Sequence, residues 1–227
     1  MKFAAFETST EWCSVALWLD GEVAAIEERA GQGHSEWLLP MLERLAAQAG
    51  MPLAALEAVA FGAGPGSFTG LRVACGVAQG IAYARGIPAI GISTMEAIAE
   101  EAGETRVVAC LDARMHEVYY SAHERRDGRW RVVIPALCAA PAALPKPRGE
   151  GWIGCGNGFA AYGSMGYARV IPEIHPTAMA VARLAAPRLA AGEGVDAALA
   201  VPVYVRDRVA LTEAERAAER AAGRALR

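Results

Sequence analysis

The residues that could do chemistry are concentrated in one glycine-rich segment, Ala60 to Ile81. This segment reads AFGAGPGSFTGLRVACGVAQGI and runs from an apolar strand through a turn into a helix rich in small residues. A strand-to-helix turn of this kind can present backbone N–H groups to an anion. The segment therefore predicts a phosphate site, a surface where another backbone approaches closely, or both.

Neither of the two common phosphate-binding signatures fits this turn. A Walker loop requires a lysine directly after its last glycine, and no lysine follows Gly66. A dinucleotide-binding turn requires a third glycine, and Thr69 occupies that position. The simpler interpretation is a tight turn in which Pro65 fixes φ, while Gly64 adopts a conformation closed to other residues. Ser67 or Thr69 would then cap the following helix.

Other catalytic and metal-binding patterns are missing from the sequence. The four histidines are His34, His116, His123 and His175, and no two have the four-residue spacing that places two ligands on one helix face. Ser67 does not lie in the G-x-S-x-G turn that exposes a nucleophile. We therefore predict neither a catalytic residue nor a metal site.

The composition predicts a folded protein without a general attraction to nucleic acid. The 227 residues are 54% hydrophobic and 21% charged, and the net charge is −3. The five cysteines form no CxxC pair, which favours reduced thiols in the cytoplasm. We expect no signal peptide and no membrane-spanning segment.

The order of predicted elements indicates two lobes built on one plan. In both halves a buried strand leads through an acidic turn into a hairpin. We expect an N-terminal lobe over residues 1–102, a second, smaller lobe over residues 103–206 and a helical tail over residues 207–227. The strands are expected at 2–6, 13–19, 22–28, 56–61, 89–92, 107–111, 117–125, 129–135, 152–155 and 201–206, and the helices at 34–49, 69–85, 94–102, 176–191 and from 212 onward.

The first two predicted helices indicate a protein interface. Both are apolar around most of their circumference, whereas one sheet can cover only one side of them. Glycines at four-residue spacing in the second helix each cost about 1 kcal/mol of helix propensity relative to alanine, which close helix packing would offset. The alternative is that the chain's own elements fill this space. The predicted interface comprises His34, Trp37, Leu38, Met41, Leu42, Leu45, Gly70, Ala74, Cys75, Val77, Ala78 and Ile81.

A basic hairpin tip leaves two interpretations open. Its arginines, Arg125, Arg126, Arg129 and Arg131, surround Trp130. The group is typical of a solvated tip, and contact with RNA is the alternative.

Five segments together resemble the bacterial TsaB (YeaZ) family. In chain order they read ETSTEWCSVAL, HSEWLLPML, GAGPGSFTGLRVACGVAQGIA, DARMHEVYY and VPVYVRDRVAL. The resemblance implies an α/β fold with two RNase H-like lobes of the actin/sugar-kinase/Hsp70 (ASKHA) superfamily. It also implies a non-catalytic partner of TsaD, which with TsaE transfers a threonylcarbamoyl group from threonylcarbamoyl-AMP to the adenosine next to the tRNA anticodon.

The resemblance also implies what the chain binds. The helix face would bind a TsaD-type catalytic subunit, or a second copy when TsaD is absent, and the TsaE-type ATPase and tRNA would be met through the complex. Nucleotide phosphates in this superfamily lie between two hairpin turns, here residues 7–10 and 112–117, and the second turn lacks glycine. We therefore expect no firmly bound cofactor, with ATP or ADP present only in the complex with TsaD and TsaE. The residues near such a nucleotide would be Thr8, Ser9, Gly64, Pro65, Gly66, Ser67, Thr69 and Arg72.

Two other functions remain as alternatives. One is an autonomous ATPase or phosphotransferase of the same superfamily, which would need an acid such as Glu7 or Asp112 to bridge a metal. The other is an M22-type glycoprotease, against which the histidine spacing argues.

Overall fold

The computed structural model describes residues 1–31 and 33–206, and its first sheet is built from the N-terminal half. Its strands are β1 (Lys2–Glu7), β2 (Trp12–Leu19), β3 (Glu22–Arg29), β4 (Ala58–Gly64) and β5 (Ala89–Ser93). They lie in the order β3-β2-β1-β4-β5, with an antiparallel meander of β1 to β3 followed by parallel β4 and β5.

The second sheet repeats this topology. Its strands are β6 (Arg106–Arg114), β7 (Glu117–Arg126), β8 (Arg129–Ala139), β9 (Ile153–Cys155) and β10 (Arg169–Ile171). The order β10-β9-β6-β7-β8 again places an antiparallel meander beside two parallel strands. The predicted α/β fold with two RNase H-like lobes is confirmed.

The helices complete five layers. They are α1 (His34–Gln48), α2 (Phe68–Arg85), α3 (Thr94–Ala102), α4 (Gly158–Tyr162) and α5 (Ala178–Ala190). Helices α1 and α2 cover the outer face of the first sheet, α3 and α5 lie between the sheets, and α4 covers the outer face of the second. Within the described ranges, no helix combines the length and apolar character needed to cross a membrane.

Helix α2 owes its position to small residues on one face. Ala74, Ala78 and Ala82 are buried against the first sheet, which lets the helix backbone approach strand β4 closely. The Ser67 side chain caps the helix by accepting a hydrogen bond from the Gly70 amide at 3.3 Å. The helix ends at Gly86, whose φ of 64° lies in the left-handed region.

The structure differs from the sequence expectations in three places. Residues 201–206, predicted as a strand, are extended but join neither sheet. Helix α5, which we assigned to the second lobe, packs mainly on β1, β2 and β4 of the first sheet. Helix α4, with five residues, and strand β10, with three, were not predicted because both are short. The tail helix predicted from residue 212 lies outside the described residues.

A buried histidine should make the stability of the protein pH-dependent. His123 on β7 is 2% exposed, and its Nε2 atom lies 2.7 Å from the Ser121 hydroxyl. Burial lowers the pKa of His123 to about 4. Because the unfolded chain takes up this proton near pH 6.5 and the folded chain does not, stability is lost as pH falls from about 6.5 towards 4.

We expect His123 alone to remove about 2 kcal/mol from the free energy of unfolding between pH 7 and pH 5. Urea unfolding at both pH values measures this loss. His34, whose pKa burial also lowers, contributes in the same direction. Comparison with His123→Gln therefore isolates the His123 share, and an equal pH dependence in both proteins would contradict the assignment.

Candidate functional site

The glycine-rich turn packs against the turn between β1 and β2. The Ser67 amide donates to the Ser9 carbonyl oxygen at 2.7 Å, and the Thr8 hydroxyl donates to the Gly70 carbonyl oxygen at 2.8 Å. A Cβ atom at Gly70 would overlap the Thr8 carbonyl oxygen, and one at Gly66 would lie 2.5 Å from the Ser9 Cβ. The glycines at 66 and 70 are therefore required for contact within this chain.

A buried carboxylate links the β1–β2 turn and the glycine-rich turn through hydrogen bonds. Glu7 is 1% exposed; its Oε1 accepts from the Ser9 amide at 2.7 Å and its Oε2 from the Thr94 hydroxyl at 3.3 Å. The Thr94 hydroxyl in turn accepts from the Gly64 amide at 3.2 Å. Burial raises the pKa of Glu7, while these hydrogen bonds oppose the rise. The geometry makes Glu7 a structural cap for both turns.

An interlobe cleft of about 480 Å³ opens between the glycine-rich turn and the β6–β7 turn. Five of the eight residues predicted to lie near a nucleotide line it, namely Ser9, Pro65, Gly66, Ser67 and Thr69. Thr8 and Gly64 are buried, and Arg72 lies on the exposed surface of α2. The glycine-rich turn and the β6–β7 turn thus line the same cleft.

The β6–β7 turn is built without glycine. Arg114, Met115 and His116 all have left-handed φ values, between 55° and 62°, and their side chains are exposed. Asp112 stabilises the turn by accepting from the Arg114 amide at 2.9 Å, and its own amide donates to the Asn157 side chain. Three side chains therefore project where a kinase-type loop would bring bare backbone to a phosphate.

A strap, defined as residues 200–206, runs along α2 and crosses the cleft to the second lobe. The Val203 amide donates to the Ala63 carbonyl oxygen at 2.7 Å in the first lobe. In the second lobe, the Arg206 guanidinium donates to Glu117 at 2.7 Å and to the Arg114 carbonyl oxygen at 3.3 Å. The strap is therefore bonded to both lobes.

Most residues of the predicted interface are buried inside the protein. The buried members are His34, Leu38, Met41, Leu42, Leu45, Gly70, Ala74, Cys75 and Ala78. These nine pack against the first sheet or its turns, so their side chains contribute little to the surface of the protein. Trp37 is 45% exposed, and Val77 and Ile81 are half-buried.

The exposed face of α2 is made largely of glycine. Gly76 and Gly80 are exposed, and a Cβ atom at either would meet no atom of the described residues within 4 Å. Two neighbouring exposed residues, Leu39 on α1 and Tyr83 on α2, are absent from the predicted interface. Tyr83 follows Gly76 and Gly80 on the same face of the helix. This helical spacing could have predicted from the sequence that Tyr83 belongs to the exposed face.

The remaining candidates are accounted for by local contacts. Of the hairpin-tip arginines, Arg125 pairs with Glu100 at 3.5 Å and Arg126 with Glu124 at 2.5 Å, which fits the solvated-tip interpretation.

Across residues 1–31 and 33–206, no three His, Cys, Asp or Glu side chains cluster in a way that could hold a metal ion.

Comparison with known proteins identifies close relatives. Residues 26–157 match the family model described as TsaD, tRNA N6-adenosine threonylcarbamoyltransferase. The tRNA threonylcarbamoyladenosine biosynthesis protein TsaB of Escherichia coli K12 is 37% identical over 224 residues, covering 92% of this chain and 96% of the relative. The TsaB protein of Haemophilus influenzae Rd is 42% identical over 171 residues, covering 70% of this chain and 72% of the relative.

Solved structures agree with these relatives. The crystal structure of a Pseudomonas aeruginosa protein described as similar to peptidase YEAZ superposes with a TM-score of 0.86 at 37% identity, covering 90% of this chain and 99% of that one. YeaZ from Pseudomonas aeruginosa superposes with a TM-score of 0.85 at 37% identity, covering 89% and 99%.

Proposed function

The chain belongs to the TsaB (YeaZ) family, and on that premise we propose that it is the non-catalytic partner of a TsaD-type subunit in tRNA threonylcarbamoyladenosine formation. The TsaD-type subunit performs the transfer to the adenosine next to the anticodon. A TsaE-type ATPase and the tRNA are met through that complex. Since its target is tRNA, the protein acts in the cytoplasm.

The observation that carries this proposal is the bare glycine face of α2. Each glycine costs about 1 kcal/mol of helix propensity relative to alanine. At Gly76 and Gly80 no atom of the described chain lies close enough to require glycine. Within residues 1–31 and 33–206, no element of the chain fills this space at these two positions. A second protein backbone lying on this face would require them.

The matched family span supports a TsaD-type subunit as that protein. It covers residues 26–157, which include both α1 and α2. A TsaD-type subunit is therefore expected to carry a comparable helix pair, and two like helix pairs can pack across an approximate two-fold axis. The same geometry would allow two copies of this chain to pair when the TsaD-type subunit is absent.

The cleft geometry supports a non-catalytic role. Both oxygens of Glu7 are engaged by hydrogen bonds beneath the turns. The side chains of Arg114, Met115 and His116 project from the opposite turn. Neither turn combines backbone N–H groups that are open to a phosphate with a carboxylate that is free to bind a metal ion. We therefore propose that ATP or ADP binds only in the assembled complex.

A reconstituted modification assay tests the proposed function. The mixture contains tRNA, threonylcarbamoyl-AMP, ATP, a TsaD-type subunit and a TsaE-type subunit, with and without this chain. We expect threonylcarbamoyladenosine to form only when the chain is present. Equal modification in its absence would refute the partner role, and ATP turnover by the isolated chain would favour an autonomous ATPase.

A further inference from the structure

We propose that the strap, together with Phe68 and Arg72 of α2, forms a second contact surface for the TsaD-type subunit. This surface is separate from the glycine face of α2 and lies beside it. The inference rests on the proposed function, because it takes the same partner as its occupant.

The strap is fixed along residues 72–79 of α2 by hydrogen bonds. The Ala200 carbonyl oxygen accepts from the Gln79 side chain at 2.7 Å and from the Cys75 thiol at 3.3 Å. Four residues later, the Tyr204 hydroxyl accepts from Arg72 Nε at 3.2 Å. The strap thus runs antiparallel to α2. A backbone held in this way is already ordered, so a partner would lose little affinity in ordering it.

The side chains that the strap presents to solvent are apolar or aromatic. Val201 is 60% exposed, Val203 is 53% exposed and Tyr204 is 47% exposed. Beside them the Arg72 guanidinium stacks over the Phe68 ring, 3.8 Å from its centroid, and Phe68 packs against Tyr204. Single exposed apolar residues are ordinary, but Phe68, Arg72 and Tyr204 contact one another and supply the tyrosine and arginine typical of interface hot spots.

This surface lies next to the glycine face of α2. Arg72 and Gly76 are one helical turn apart, so they share one side of α2. A partner helix is about 10 Å wide and packs 8–10 Å from the axis of α2. A helix laid on Gly76 therefore extends sideways over the flank where the strap lies. Docking of the TsaD-type subunit on the glycine face would bring it to Val201.

The strap also lies outside the part of the chain that matches the TsaD family model, residues 26–157. The two helices, with Phe68 and Arg72, lie inside the matched span, whereas the strap does not. We therefore assign it a role in affinity for the TsaD-type subunit.

Substitution Val201→Glu tests the inference with the full chain and a purified TsaD-type subunit. The side chain points to solvent, so the fold and the melting temperature should be unchanged. We expect the dissociation constant, measured by titration calorimetry, to rise at least tenfold. Val132→Glu is the matched control, because Val132 is 58% exposed on β8 in the second lobe. That variant should bind like the parent protein.

A third variant, Gly76→Trp, separates this inference from the proposed function. If Gly76→Trp loses binding while Val201→Glu binds like the parent, the strap surface is refuted and the partner role stands. If both variants bind like the parent, the proposed docking face is refuted as well. If Val201→Glu changes only the self-association of the chain, measured by sedimentation, the occupant is a second copy and the inference is wrong.

Discussion

Replacing Gly70 with alanine is expected to lower the free energy of unfolding by about 3 kcal/mol or more. The added Cβ atom would overlap the Thr8 carbonyl oxygen, which is backbone and cannot rotate away. Relief would require α2 to move from the β1–β2 turn, which would break the bond from the Thr8 hydroxyl to the Gly70 carbonyl oxygen. Urea unfolding followed by circular dichroism measures the loss.

Gly76→Ala is the matched control, since it makes the same chemical change in the same helix. A Cβ atom at this position meets no atom within 4 Å in the part of the chain that the structure describes. We expect the variant to be more stable than the parent by about 1 kcal/mol, because alanine has the higher helix propensity. If the two variants had equal stability, the close approach of Gly70 to Thr8 would not control the packing of α2.

Gly76→Trp is expected to weaken binding to the TsaD-type subunit at least 100-fold and to stop tRNA modification in the reconstituted assay. An indole at this exposed position would hold apart two helices that otherwise approach through bare backbone. The isolated protein should remain folded, since none of residues 1–31 and 33–206 occupies the space above Gly76. Calorimetric titration and the modification assay give the two results.

Ala161→Trp provides the control for a bulky side chain on an exposed helix. Ala161 lies on α4, on the outer face of the second lobe, and is exposed. This variant should bind and support modification like the parent. Unchanged binding by Gly76→Trp would show that the glycine face of α2 is not where the subunit docks.

The fold could be predicted because its signals are local. The apolar run of β1, the Asp20–Gly21 turn and the repeated strand-and-hairpin pattern after residue 106 all depend on neighbours in the sequence. The outward face of α2 could not be predicted in the same way. Gly70 and Gly76 look alike in the sequence, and only the position of Thr8, 62 residues earlier than Gly70, makes one of them indispensable.

The two sides of α1 could not be told apart in the sequence for a related reason. Leu38, Met41 and Leu42 are apolar whether they face the sheet or a partner, so composition could not separate the two sides of α1. The strap was also misjudged. Val201 and Val203 alternate as in a strand, but the exposed side chains belong to an extended segment that is bonded at isolated points.

The attachment of the strap to both lobes has a mechanical consequence. Any rotation that widened the interlobe cleft would have to break the bond from Val203 to Ala63 or those from Arg206 to Glu117 and Arg114. The strap thus bonds the two lobes to each other across the cleft. We expect such a cross-link to hold the two lobes at a fixed separation, so that a partner docking on the first lobe meets the second lobe in a constant orientation.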